Sequence, residues 1–213
     1  MRCVGAILAR NEADRYLPRV LENVKQFCDQ IVVVDDGSTD NTVEVCRNAG
    51  AAVLKTTSDG WWGKNESSPR ELLWRFAADE AGPDGWIYVA DADHELIGIT
   101  PSQFKVLLKA QGVNCWAFPL WDCWDSDTLH RVDGYWQAWR NPRPWLFRSQ
   151  PNPGFTPVWA SRGIHAGHCP SNYPLVAGLV PHGVGLRHLG YVRKADREAK
   201  AAKYLAVANA ATA

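Results

Sequence analysis

Two hydrophobic periods alternate along the first half of the chain. Cys3–Leu8 is a continuous apolar run of strand length, and Leu17, Val20, Leu21 and Val24 then recur at helical spacing behind Asp14 and Pro18. Ile31–Val34 is β-branched and ends at Asp35-Asp36-Gly37. Ser38, Thr39 or Asp40 can cap a following helix that carries Val43, Val45 and Cys46 and stops at Gly50. Ala52–Leu54 predicts a third strand, and a polar loop runs from there to Pro69. A helix bearing Leu72, Leu73, Phe76 and Ala77 comes next, then a break at Gly82-Pro83-Asp84-Gly85 and a fourth strand, Trp86–Ala90. Thr100-Pro101-Ser102-Gln103 is a capping box that opens a helix to about Ala110. Strands alternating with helices predict an α/β fold, a mainly parallel sheet flanked by helices.

Beyond Gly112 the pattern loosens. Cys115–Leu120 and Trp145–Phe147 read as strands, separated by a Trp-, Asp- and Arg-rich segment from Trp121 to Pro144. A loop of that length inside a domain points to function. Lys194–Val207 predicts a terminal helix and Ala208–Ala213 a tail. With no repeat and no linker composition, residues 1–207 read as a single compact domain.

Bulk composition narrows the class. Lys+Arg and Asp+Glu both total 23, so the basic excess of a sequence-independent nucleic-acid binder is missing. The six cysteines form no CxxC pair, and no run approaches the ~18 apolar residues of a membrane span. These features predict a reduced, soluble, cytoplasmic protein. Eleven tryptophans are the unusual count. Most suit a core, but Trp61, Trp62 and Trp136 stand in polar or Gly-rich surroundings where a ring can stack on a sugar or base.

Acidic groups mark two of the predicted strand ends, where ligands of such sheets bind. Asp91 and Asp93 are two apart after an apolar strand, so extended backbone turns both carboxylates to one side. Two hard oxygen ligands suit Mg²⁺ or Mn²⁺, with phosphate oxygens completing the shell. A carboxylate of Asp35-Asp36 can accept from the imide N–H of uracil or from ribose hydroxyls. No GxGxxG follows any strand, which counts against a dinucleotide site.

The segments VGAILARNEADRYLPRVLENV, IVVVDDGSTDNTVEVCRNAGA and IYVADADHEL, in that order and spacing, resemble family-2 glycosyltransferases of the GT-A fold, particularly short stand-alone bacterial and phage members. The resemblance implies a nucleotide-sugar donor, with a UDP-sugar favoured, and a divalent cation bound at a DXD motif. It also implies inverting transfer to a hydroxyl of a protein, small-molecule or modified-DNA acceptor in the cytoplasm. Residues 1–110 would then be the nucleotide-binding half, 111–193 the acceptor-binding half and 194–207 the closing helix, with 208–213 as the tail. By position, Asn11, Glu12, Asp35 and Asp36 fall at the nucleotide, Lys64 and Arg70 near the diphosphate, Asp91 at the ribose or metal, and Asp93 at the metal. LRHLGYVRKADREAKAAKYL resembles the family's closing motif and makes His188 a third metal ligand, which favours Mn²⁺ over Mg²⁺. GIHAGHCP resembles a segment where many members carry Ile-His-Glu, but Ala166 stands in place of the acid. The base that deprotonates the acceptor is open among Asp122, Asp125, Asp127, Asp133 and His165.

Two other classes fit parts of the chain. A zinc hydrolase could draw ligands from His165, His168, Cys169, His182 and His188, though it leaves Asp35-Asp36 without a role. A non-catalytic, Trp-rich carbohydrate-binding protein needs neither acidic pair.

Overall fold

The computed structural model describes residues 1–57, 60–61 and 64–210. Strands β1 (Cys3–Ala9), β2 (Gln30–Asp35), β3 (Ala52–Lys55) and β4 (Trp86–Asp91) pair in parallel, in the order β3-β2-β1-β4. β8 (Arg143–Arg148) runs antiparallel beside β4; β6 (Cys115–Phe118) and β9 (Ala177–Leu179) extend the sheet to seven strands. A second sheet of three strands has the order β5 (His94–Ile97), β10 (Gly185–His188), β7 (Leu120–Asp122).

Side-chain alternation along β1 explains the layers. Cys3 and Ile7 face one cluster, with Leu17, Val20, Leu21 and Val24 of α1 (Leu17–Val24), Val33, Tyr88 and Phe104. Val4 and Ala6 face the other, with Leu73, Trp74 and Ala77 of α3 (Ser67–Ala81), Val32, Val34 and Phe147. A strand covered on both faces has no polar side, which is why β1 reads CVGAILA. α2 (Thr42–Asn48) and α4 (Pro101–Leu108) complete the helices before α5 (Lys194–Ala210).

Most of the predicted elements are present, and the differences have local causes. Pro119, which has no N–H to donate, ends the strand predicted over Cys115–Leu120 as β6, and the chain enters the other sheet as β7 from Leu120; the Pro119 carbonyl accepts from Leu186 N at 2.9 Å. β5 and β9 are absent from the pattern because each is short and pairs through backbone groups. α2 starts at Thr42, and Asp40 steadies it by accepting from Thr42 N at 3.0 Å. The Thr100 capping box forms as predicted. α5 continues to Ala210, past the predicted end at Val207; the rest of the predicted tail, 211–213, and Trp62 lie outside the described residues.

Candidate functional site

A crevice of about 690 Å³ opens at the carboxyl ends of β1, β2 and β4. Arg10, Glu12, Asp36, Arg70, Asp91 and Asp93 line it, together with Asp122, His165, His188 and Lys200. That volume lies in the range of small-molecule sites.

The extended-backbone argument for Asp91 and Asp93 fails locally. β4 ends at Asp91, and Ala92-Asp93 form a turn into β5, so the two carboxylates take different partners while lining the same crevice. Asp91 Oδ1 accepts from Arg70 Nη2 at 2.9 Å, and Asp91 Oδ2 lies 3.6 Å from His168 Nε2. Burial opposes ionisation of Asp91, but Arg70 and His168 hold its carboxyl well below the usual range. Arg70 also contacts Glu66 at 3.3 Å, so its guanidinium is buried between two acids.

Asp93 belongs to a separate cluster built by strand register. In the small sheet His188 stands opposite His94 of β5 on one side and Asp122 of β7 on the other. The two rings meet edge to face at 4.8 Å, and Asp122 Oδ1 lies 2.7 Å from His188 Nδ1, which fixes the ring. His188 Nε2 is then 3.2 Å from Asp93 Oδ2, and His94 Nε2 is 3.6 Å from Asp93 Oδ1. Burial disfavours charge on His188, yet Asp93 and Asp122 outweigh it and raise its pKa to about 9. Burial instead dominates at His94 and lowers its pKa to about 4, which keeps that imidazole neutral. Burial also works against Asp93, but His188 beside it holds the carboxyl far below the usual range.

Potential ligand atoms of Asp93, His94 and His188 all lie within 4.8 Å of one another, and among the described residues theirs is the one such group of three. One carboxylate with two imidazoles suits a borderline divalent ion such as Mn²⁺. Gly190 leaves space in front of them: a Cβ there would collide with Asp93 Oδ2 and stand 2.9 Å from both His188 Nε2 and Lys200 Nζ. Imidazolium and ammonium together present Asp93 with the charge that a divalent ion carries. The residues therefore fit the cation that the sequence implied. His94 occupies the place in the trio predicted for Asp91. The zinc-hydrolase set is not brought together: His168 turns to Asp91, His165 stacks on Tyr204 with centroids 5.9 Å apart, and neither joins His188 in a ligand trio.

The nucleotide-side residues divide by role. Asp36 is buried, lines the crevice and accepts from Trp61 N at 2.9 Å. Asp35 lies deeper, accepting from Ser38 N at 3.1 Å. Asn11 stitches two loops: its N donates to Ser38 Oγ at 3.0 Å, and its Oδ1 accepts from Thr39 N at 2.8 Å. Its φ of 54° is the left-handed conformation that Asn tolerates better than most residues. Glu12 reaches the crevice, whereas Lys64 is exposed and does not line it. Among the base candidates His165 and Asp122 line the crevice. Asp125 is outside it, paired with Arg197 at 2.6 Å; Asp127 pairs with Arg19 at 2.8 Å and Asp133 with Arg131. Trp136 packs edge-on to Tyr191 at 4.6 Å, which accounts for it as local packing.

A parallel sheet reading β3-β2-β1-β4, an antiparallel strand beside it and a small sheet carrying acid and histidine at the crevice define the GT-A architecture. Residues 6–110 match the sequence model of the family described as Glycosyl transferase family 2, so that segment of the chain is similar to the family. An uncharacterized protein of Mycobacterium tuberculosis is 31% identical over 96% of this chain and 50% of its own length. An uncharacterized glycosyltransferase of Rickettsia felis is 33% identical over 42% of this chain and 28% of its own. The chain thus spans half or less of the length of these curated relatives. Among solved structures, S. aureus TarS 1–349 in complex with UDP superposes with a TM-score of 0.49 at 18% identity, covering 70% of this chain and 47% of that one. Among the described residues no helix is long and apolar enough to cross a membrane.

Proposed function

We propose that this chain is a metal-dependent glycosyltransferase that moves a sugar from a nucleotide-sugar donor, a UDP-sugar by preference, to a hydroxyl acceptor with inversion. The observation that carries this reading is the Asp93–His94–His188 trio beside Asp36 and Arg70 in one crevice. Asp93, His94 and His188 would hold a divalent cation, Mn²⁺ before Mg²⁺, which would supply charge to offset the departing diphosphate. Asp122 positions His188 without touching the donor. Asp36 faces the base and ribose. Arg70, neutralised by Asp91 and Glu66, sets the floor of the diphosphate site through Asp91. His165 is the base of this proposal, since it lines the crevice and no carboxylate among the described residues pairs with it; the acceptor reaches it from the 111–193 half. We place the activity in the cytoplasm, in keeping with six free thiols.

The test is a thermal-shift and donor-hydrolysis panel of UDP-, GDP- and dTDP-sugars, each with Mn²⁺ and with EDTA. One donor should stabilise the protein and release its nucleoside diphosphate slowly, only with Mn²⁺, and Asp93→Ala should abolish both effects. Silence towards every donor in the presence of Mn²⁺ would sink the reading.

A further inference from the structure

The place where a cation would meet Asp93 and His188 already faces a positive group of the chain itself. Lys200 of α5 brings its Nζ to 3.1 Å from His188 Nε2 and 3.8 Å from Asp93 Oδ2, over the ring of Tyr191 at 4.3 Å. Those two atoms are the ones that a metal would use. His188 Nε2, which donates to Asp93 as an imidazolium, must give up its proton to ligate an ion, and two cations cannot share Asp93 Oδ2 at contact distance without strong repulsion.

The attachment of α5 is uneven along its length. Arg197, one turn before Lys200, is held firmly: its Nη1 donates to the carbonyls of Tyr191 and Val192 at 2.7 and 2.9 Å, and its Nη2 pairs with Asp125 at 2.6 Å. Asp196 accepts from Tyr16 Oη at 3.0 Å and from Arg193 Nε at 2.8 Å. From Ala201 to Ala206 every residue is exposed, although Tyr204 still lies over His165. Lys200 therefore stands at the boundary between an anchored first half of the helix and the exposed stretch 201–206.

We propose that Lys200 is a tethered counter-ion of the metal site: it occupies the place beside Asp93 Oδ2 and His188 Nε2 when no divalent cation is bound, and cation binding requires it to leave. This rests on the reading of that trio as a metal site. Lys200 sets the cation concentration at which the site fills, and its departure removes one of the holds that keep the exposed stretch 201–206 at the crevice rim.

Mn²⁺ binding, read directly by the loss of the free-ion electron paramagnetic resonance signal at one fixed pH, tests this on the full chain. Lys200→Met keeps the aliphatic stem and removes the charge, and it should bind Mn²⁺ about tenfold more tightly than the unaltered protein. Limited proteolysis within 201–206 supplies a second readout. Mn²⁺ should speed cleavage of the unaltered chain, while Lys200→Met should be cut quickly with or without the ion. Equal or weaker affinity in Lys200→Met overturns the proposal and leaves the metal reading intact. No Mn²⁺ uptake by either protein overturns both.

Discussion

Glu12 carries one carboxylate oxygen, Oε1, 2.8 Å from Arg15 and another, Oε2, that is buried and meets no partner among the described residues. Burial, opposed by Arg15, raises its pKa to about 7 from the ordinary 4.5. The folded chain thus holds this proton more tightly than the unfolded one. The resulting stabilisation is complete below about pH 4.5 and is lost as pH rises through about 7. Glu12→Gln removes the titration: urea unfolding across this range should show a flatter pH profile and a gain of about 1–3 kcal/mol at pH 8. An unchanged slope would place the strain elsewhere. At the same scale, His94 is the site residue that sequence reasoning passed over. Its signal was present in its position directly after Asp93, but a histidine that reads as part of an acidic turn has nothing to distinguish it until its register opposite His188 is known.

At the scale of elements, close approach of α1 to β1 depends on one missing side chain. A Cβ on Gly5 would overlap Val24 Cγ1 and stand 3.4 Å from Cys28 Sγ. Gly5→Ala should therefore cost about 1–3 kcal/mol by overpacking, measured as a lowered urea midpoint with unchanged slope. The small sheet makes a different prediction. Leu186 is fully buried in β10, two residues before His188. Leu186→Ala should lose about 2–5 kcal/mol and weaken Mn²⁺ uptake as well, whereas an equally buried deletion at Leu21 in α1 should lower stability alone. Elements such as β1, α1, β2 and β4 were legible because each is a long run whose period states its burial. β5, β7 and β10 were not, since three or four residues give no period, and their partners come from stretches remote in the chain. Asp36, Asp91, Asp93 and His188 could be marked as candidates in the sequence. Which carboxylate faces an imidazole and which an arginine depends on the Ala92-Asp93 turn, and no pattern in the sequence announced it.

For the whole molecule, equal totals of acidic and basic residues leave no long-range field to draw in a charged donor. Attraction has to come from the crevice itself, where Arg10, Arg70, Lys200 and Lys203 line one space with Glu12, Asp36, Asp91 and Asp93. Donor affinity should therefore change little between low and moderate salt, apart from binding to the ion itself; isothermal titration, at two ionic strengths, of whichever donor the panel selects checks this. A steep salt dependence would point to a charged approach path not evident in the composition.

The small sheet joins strands from 94–97, 120–122 and 185–188, and His188 is on the last of them. During synthesis the four parallel strands and their helices have all emerged while β10 is still unmade, so the large sheet can start to form without a crevice able to retain an ion or a donor. On the proposed function, a chain interrupted before its one hundred and eighty-eighth residue lacks the third ligand of the metal site and should be chemically silent instead of partly active. Order of manufacture acts as a safeguard: on the proposed function, the ion site is completed only after all seven strands of the large sheet that supports it have been made.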